Sequence, residues 1–104
     1  MYVRAGTGPI QSGKIQEAID IANHSVAYAA KAQEGFRGIY FTTNAASGNF
    51  LTFSAWETQA DIIASESDGS SREQFAKIGA LMAGPPELDH YELSVEASAG
   101  DIDA

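Results

Sequence analysis

The sequence predicts an α+β sandwich in the order strand, helix, strand, strand, broken helix, strand, and three observations predict it. Four stretches alternate with the period of two expected of strands, and a long stretch after the first of them has a helical period. The two middle strands have no properly polar face, so their sheet calls for cover on both sides.

Residues 2–5 form the first strand, with Val3 and Ala5 opposed to Tyr2 and Arg4, and Gly6-Thr7-Gly8-Pro9 reads as the turn that stops it. Ser12 is the expected N-cap of the helix that follows. Ile15, Ala18, Ile19, Ala22, Val26, Ala29, Ala30 and Gln33 fall in one stripe, which predicts a helix of about twenty residues with one buried face. Gly35 is its expected C′ residue.

Residues 36–43 read as a strand, with Ile39 and Phe41 on one face and Phe36 and Tyr40 on the other. The polar run 44–49 has hairpin length. It leads into Phe50-Leu51-Thr52-Phe53-Ser54-Ala55-Trp56, where Leu51, Phe53 and Ala55 point one way and Phe50, Thr52, Ser54 and Trp56 the other. Thr58 and Asp61 are spaced as an N-cap and its third-position carboxylate, predicting a short helix over 59–65 with Ala60, Ile63 and Ala64 inward. A break near Ser67 and Ser70 separates it from a further helix, opened by a capping box of Ser71 and Gln74 and faced by Phe75, Ile78, Gly79 and Met82. Gly84-Pro85-Pro86 ends that helix, and residues 88–97 make the last strand, Tyr91 and Leu93 opposed to His90 and Glu92. The expected domain is 1–97, followed by a flexible tail at 98–104.

Two helical regions on one face of a four-stranded antiparallel sheet make a ferredoxin-like fold. The second face of the middle strands would then be an exposed apolar patch, which predicts a homodimer with its sheets packed face to face.

Composition narrows the function classes. Six basic against fourteen acidic residues give a net charge of −8, and the cations are scattered singly, which argues against nucleic acid and anionic membrane as partners. There is no cysteine, hence no disulfide framework, thiolate nucleophile or thiolate metal site. No stretch approaches the length of a membrane span, and a cytoplasmic location is expected. Asp61, Glu66, Asp68 and Glu73 lack the spacing of a calcium loop and read as a solvated face. Gly6-Thr7-Gly8 lacks the lysine of a phosphate loop. His24 falls outside the apolar stripe and reads as a surface histidine; no metal site is expected, since two histidines on separate elements have no ligand spacing.

Gly35-Phe36-Arg37-Gly38-Ile39-Tyr40 after the long helix, Ser54-Ala55-Trp56-Glu57-Thr58 at the strand-to-helix junction, and Gly84-Pro85-Pro86 before a strand with Tyr91-Glu92-Leu93 occur in that order over residues 2–97. In these the chain resembles the antibiotic biosynthesis monooxygenase-like domain of the dimeric α+β barrel superfamily. The resemblance implies a homodimer, a ligand cleft between helices and sheet, and oxidoreductase activity without a cofactor on a small aromatic or quinol. Haem degradation, another activity in the group, is disfavoured, because Gly6 and positions near Ser65 and Gly79 stand where that chemistry has its asparagine, tryptophan and histidine.

Against that background the catalytic candidates are Arg4, Trp56 and His90, and the pocket-lining candidates are Tyr2, Tyr40, Phe50, Trp56 and Tyr91. Arg4 is the only charge on its strand and could pair with a phenolate or carboxylate; the competing assignment is an ion pair with Glu92 or Glu96. Trp56 could equally be core, and His90 could hydrogen-bond at the surface or at a dimer rim. No base and nucleophile pair or cofactor loop is present, so a non-catalytic homodimer that binds a small hydrophobic molecule, or has a structural or stress-related role, stands as the second reading.

Overall fold

The computed structural model describes residues 1–100. From residue 101 onward, the expected tail lies outside the described residues. Strand β1 spans Tyr2–Pro9, β2 Phe36–Asn44, β3 Asn49–Trp56 and β4 Glu87–Glu92. They form one antiparallel sheet in the order β2-β3-β1-β4. The first helical region is α1 (Ile15–Ile21), a π-helical turn (Ala22–Val26) and α2 (Ala27–Ala30). The second is α3 (Gln59–Ser67) and α4 (Gly69–Gly79). This is the ferredoxin-like β-α-β-β-α-β arrangement, with both helical regions on one face.

The first strand runs on through the expected turn. Gly6 and Gly8 stay in register with Thr52 and Phe50, and a Cβ on Gly6 would come within 2.7 Å of Leu88, so glycine here admits a neighbouring side chain and does not break the strand. Ser12 does not cap α1. Gly13, at φ +80°, redirects the chain after it, and the helix starts at Ile15 with Lys14 as an N-cap whose side chain makes no capping hydrogen bond. The helical stretch ends at Ala30, earlier than expected, and Gly35 serves in the turn before β2, also at φ +80°.

Phe36 lies on the other face from the expected one. A bulge between Phe36 and Gly38 lets Phe36 pair with Trp56 while Ile39 pairs with Ser54. All of these therefore face the helices, with the Phe36 and Trp56 rings meeting edge to face at 5.3 Å. The inward face of α3 is also displaced from the expected one. Thr58 is the N-cap, accepting from Asp61 N at 3.1 Å, but Ile62 and Ser65 are buried while Ala60, Ile63 and Ala64 are exposed. The break is at Asp68, whose carboxylate accepts from Ser71 N at 3.2 Å and caps α4 in place of the expected Ser71.

The core between the layers has two centres. Ile10, Ala18, Phe50, Leu81 and Met82 form one; Trp56, Ile62 and Ser65 are the most deeply buried side chains of the other. On the far side of the sheet no helix covers Tyr40, Leu51, Phe53 or Tyr91, all exposed. No helix among the described residues is long and apolar enough to cross a membrane.

Candidate functional site

The side chains that β3 sends toward the helices run large, small, small, large: Phe50, Thr52, Ser54, Trp56. Phe50 belongs to one core centre and Trp56 to the other. Between them the sheet is floored only by the two small residues, and a cavity of about 110 Å³ lies there. Ile39 and Phe41 of β2 and Leu88 of β4 extend its floor, and Phe41 stacks on Phe50 at 5.6 Å. Its roof is Ala22 and Val26 of the π turn with Phe75 and Ile78 of α4. Thr52 Oγ1 donates to Tyr40 O at 3.1 Å, and Ser54 Oγ accepts from Trp56 Nε1 at 2.9 Å.

Arg4 is the one charged side chain in the cavity wall. On β1 it pairs in register with Ser54 on one side and His90 on the other. Its guanidinium lies 4.8 Å from the Phe75 ring centroid and 5.5 Å from that of Trp56. Nη1 donates to Ser65 Oγ at 3.2 Å and to Glu66 Oε2 at 3.4 Å. The side chain is 12% exposed. Burial pushes the guanidinium below its ordinary pKa, and the Glu66 carboxylate counters this only in part. Arginine stays charged under any such shift, so the direction records incomplete compensation for lost water.

His90 meets the same carboxylate, Nε2 to Glu66 Oε2 at 2.9 Å. The Gln59 amide reaches His90 Nδ1 at 3.5 Å. A carboxylate can only accept, so the contact with Glu66 is made by a proton on Nε2.

The candidates named from sequence are therefore divided by the fold. Arg4 and His90 converge on Glu66, and Arg4 pairs there instead of with Glu92 or Glu96. Trp56 is 1% exposed and lines a smaller space beside the main cavity, which Arg4 also reaches. Phe50 lines the main cavity. Tyr2 is on the helix-facing side of β1 but does not line it. Tyr40 and Tyr91 lie on the opposite face of the sheet, because Tyr40 pairs with Phe53 and Tyr91 with Val3, so neither lines this cavity. His24 is exposed in the π turn.

Sequence reasoning missed Glu66, which it left in a solvated acidic face. Its signal is spacing: Glu66 follows Ile62 by one helical turn on the side of α3 that packs down. No group of three or more His, Cys, Asp or Glu that could hold a metal ion occurs among the described residues.

No family model matches the chain, and no curated protein matches it by sequence. Solved structures match it in fold. A proposed antibiotic biosynthesis monooxygenase from Bordetella bronchiseptica superposes with a TM-score of 0.80 at 14% identity, over 90% of this chain and 97% of that one. Another, from Deinococcus radiodurans, gives 0.77 at 14% identity over 94% and 97%. Rv0793 from Mycobacterium tuberculosis gives 0.75 at 13% identity over 93% and 98%. The chain thus has the fold expected from its resemblance to the antibiotic biosynthesis monooxygenase-like domain, along nearly its whole length.

Proposed function

We propose that this chain is a monooxygenase of the antibiotic biosynthesis monooxygenase-like family, acting without a bound cofactor on a small aromatic or quinol substrate and working as a homodimer joined through its outer sheet faces. The observation that carries this reading is the apolar cavity between helices and sheet, with a single guanidinium in its wall, in a fold shared with structures described as proposed antibiotic biosynthesis monooxygenases. Apolar walls exclude water from an electron-rich ring and hold it for attack by O₂. The ring supplies the electrons and accepts one oxygen atom, and the second leaves as water. Arg4 polarises a ring oxygen; Glu66 and His90 hold Arg4 in place from outside the cavity, and Trp56 braces the floor through Ser54.

The test is oxygen uptake with hydroquinones of one, two and three rings. Uptake above the enzyme-free rate is expected, with loss in Arg4→Met and in Ile78→Trp, which fills the roof. No uptake across the panel would favour the non-catalytic binding or structural role.

A further inference from the structure

Two properties of the cavity define its ligand more narrowly. The first is size. At about 110 Å³ the hollow is of the order of an apolar cavity of about 150 Å³, which takes up one benzene molecule. The floor at Thr52 and the roof at Val26 and Phe75 face each other across it, and Phe50 and Met82, which also line it, belong to a packed core cluster that resists displacement; a single ring is the better match in size.

The second is the distribution of polar groups. The hydroxyls of Thr52 and Ser54 are engaged with Tyr40 O and Trp56 Nε1. Arg4 spends Nη1 on Ser65 and Glu66. The hydrogen bonds of Arg4 to the described residues run from Nη1, and because no buried side-chain nitrogen among them lacks a partner, Nε and Nη2 keep contact with accessible space. A guanidinium presents its donors as a planar fork that matches a pair of anionic oxygens or one oxygen approached by two N–H groups. Ser54, which accepts from Trp56, keeps its hydroxyl proton as a neutral donor; the fork is the one charged recognition element in a mostly apolar wall, and a mostly buried cation with one long ion pair gains from a second anion.

We infer that the cavity takes a single-ring aromatic compound bearing one anionic oxygen group, phenolate or carboxylate, which accepts from Nε and Nη2 of Arg4 while the ring lies between sheet and helices. This rests on the proposed use of the cavity as the substrate site and narrows its substrate class. Glu66 opposes the ligand's charge, and its cost is limited because it lies at the Nη1 edge and its carboxylate also meets His90 Nε2 of β4. Glu66 therefore sets the affinity, and Arg4 makes it.

Calorimetric titration of the full chain at neutral pH with benzoate, its neutral isostere benzamide, and 2-naphthoate tests this. Benzoate is expected to bind about tenfold or more tightly than benzamide, the size of effect expected for a hydrogen bond to a charged group. It is also expected to bind more tightly than 2-naphthoate. Arg4→Met removes the preference for benzoate over benzamide, and Glu66→Gln strengthens benzoate binding several-fold. Benzamide binding as well as benzoate in the unmodified chain would overturn the anion assignment, and that comparison needs no variant to fold. Naphthoate binding equal to benzoate would overturn the size limit. Oxygen uptake with a larger quinol in a chain that binds no benzoate would overturn this inference and leave the proposed activity standing; failure of every aromatic in both experiments would overturn both.

Discussion

Gly35 and Asp61 show how single residues hold the site in register. Gly35 sits at φ +80°, and a Cβ built on it would overlap the Asp61 carboxylate. Its carbonyl accepts from Glu57 N at 2.8 Å, tying the turn before β2 to the end of β3. Gly35→Ala combines left-handed strain of about 1–2 kcal/mol with displacement of Asp61 at the start of α3. A loss of about 2 kcal/mol or more is expected, lowering the melting temperature by roughly 10 °C for a domain of this size. Thermal unfolding measures it, and an unchanged midpoint would show that the turn relaxes freely. Asp61→Gly in the same background relieves the overlap but not the strain, so it should recover only part of the loss.

At the scale of elements, the π turn over Ala22–Val26 shapes the roof. Its wider i→i+5 hydrogen bonding brings residues four apart closer to alignment along the axis than an α-turn does, and Ala22 and Val26 both line the cavity. Ser25 at the same turn is held by Gln74 and by Lys77 Nζ of α4, the latter at 3.1 Å. Deleting the exposed Asn23 should convert the turn to α-helix, keep the far-UV circular dichroism of the folded chain, and weaken benzoate binding several-fold. Unchanged affinity would mean that the roof does not depend on the π geometry. Elements of this kind divide what was legible in the sequence from what was not. Alternation in β2 and β3 and the alanine-rich stripe gave the element order and the two-layer fold, because hydrophobic period is a local property. A bulge at Arg37 and a π turn each add one residue to a regular repeat. Neither changes composition, so regular alternation predicts the wrong face for Phe36 and the helical stripe predicts an ordinary helix for the roof. The helical spacing after Thr58 places the inward face of α3 one step from where it lies, and Glu66 with it. Arg4 and His90 could be named as unusual charges on strands, but their meeting is a product of the β2-β3-β1-β4 order and the packing of α3.

For the whole molecule, the outer face of the sheet is the surface on which the proposed dimer rests. Phe53 lies at its middle, paired with Ala5 of β1 on one side and Tyr40 of β2 on the other. Tyr40 is 75% exposed and Tyr91 55%, a contiguous apolar surface of the kind that marks an interface. Charged groups such as Glu87, Asp89, Arg37 and Glu96 lie around this face, the arrangement of an apolar centre with a polar rim. Each chain carries a net charge of −8, so association brings two like-charged bodies together, and the apolar centre has to outweigh that repulsion. Sedimentation velocity at micromolar concentration is expected to give twice the 11.0 kDa of one chain, with the dimer favoured further as salt rises and screens the repulsion. Phe53→Glu would set two carboxylates in the buried centre, at a cost of several kcal/mol for each charge, and should give a folded monomer. A monomeric unmodified chain at that concentration would overturn the assembly. If Phe53→Glu sediments as a dimer, the two copies meet through some other surface. The cavity lies on the opposite side of the sheet from Phe53, so benzoate binding should survive in the monomer, and this separates the assembly from the ligand site.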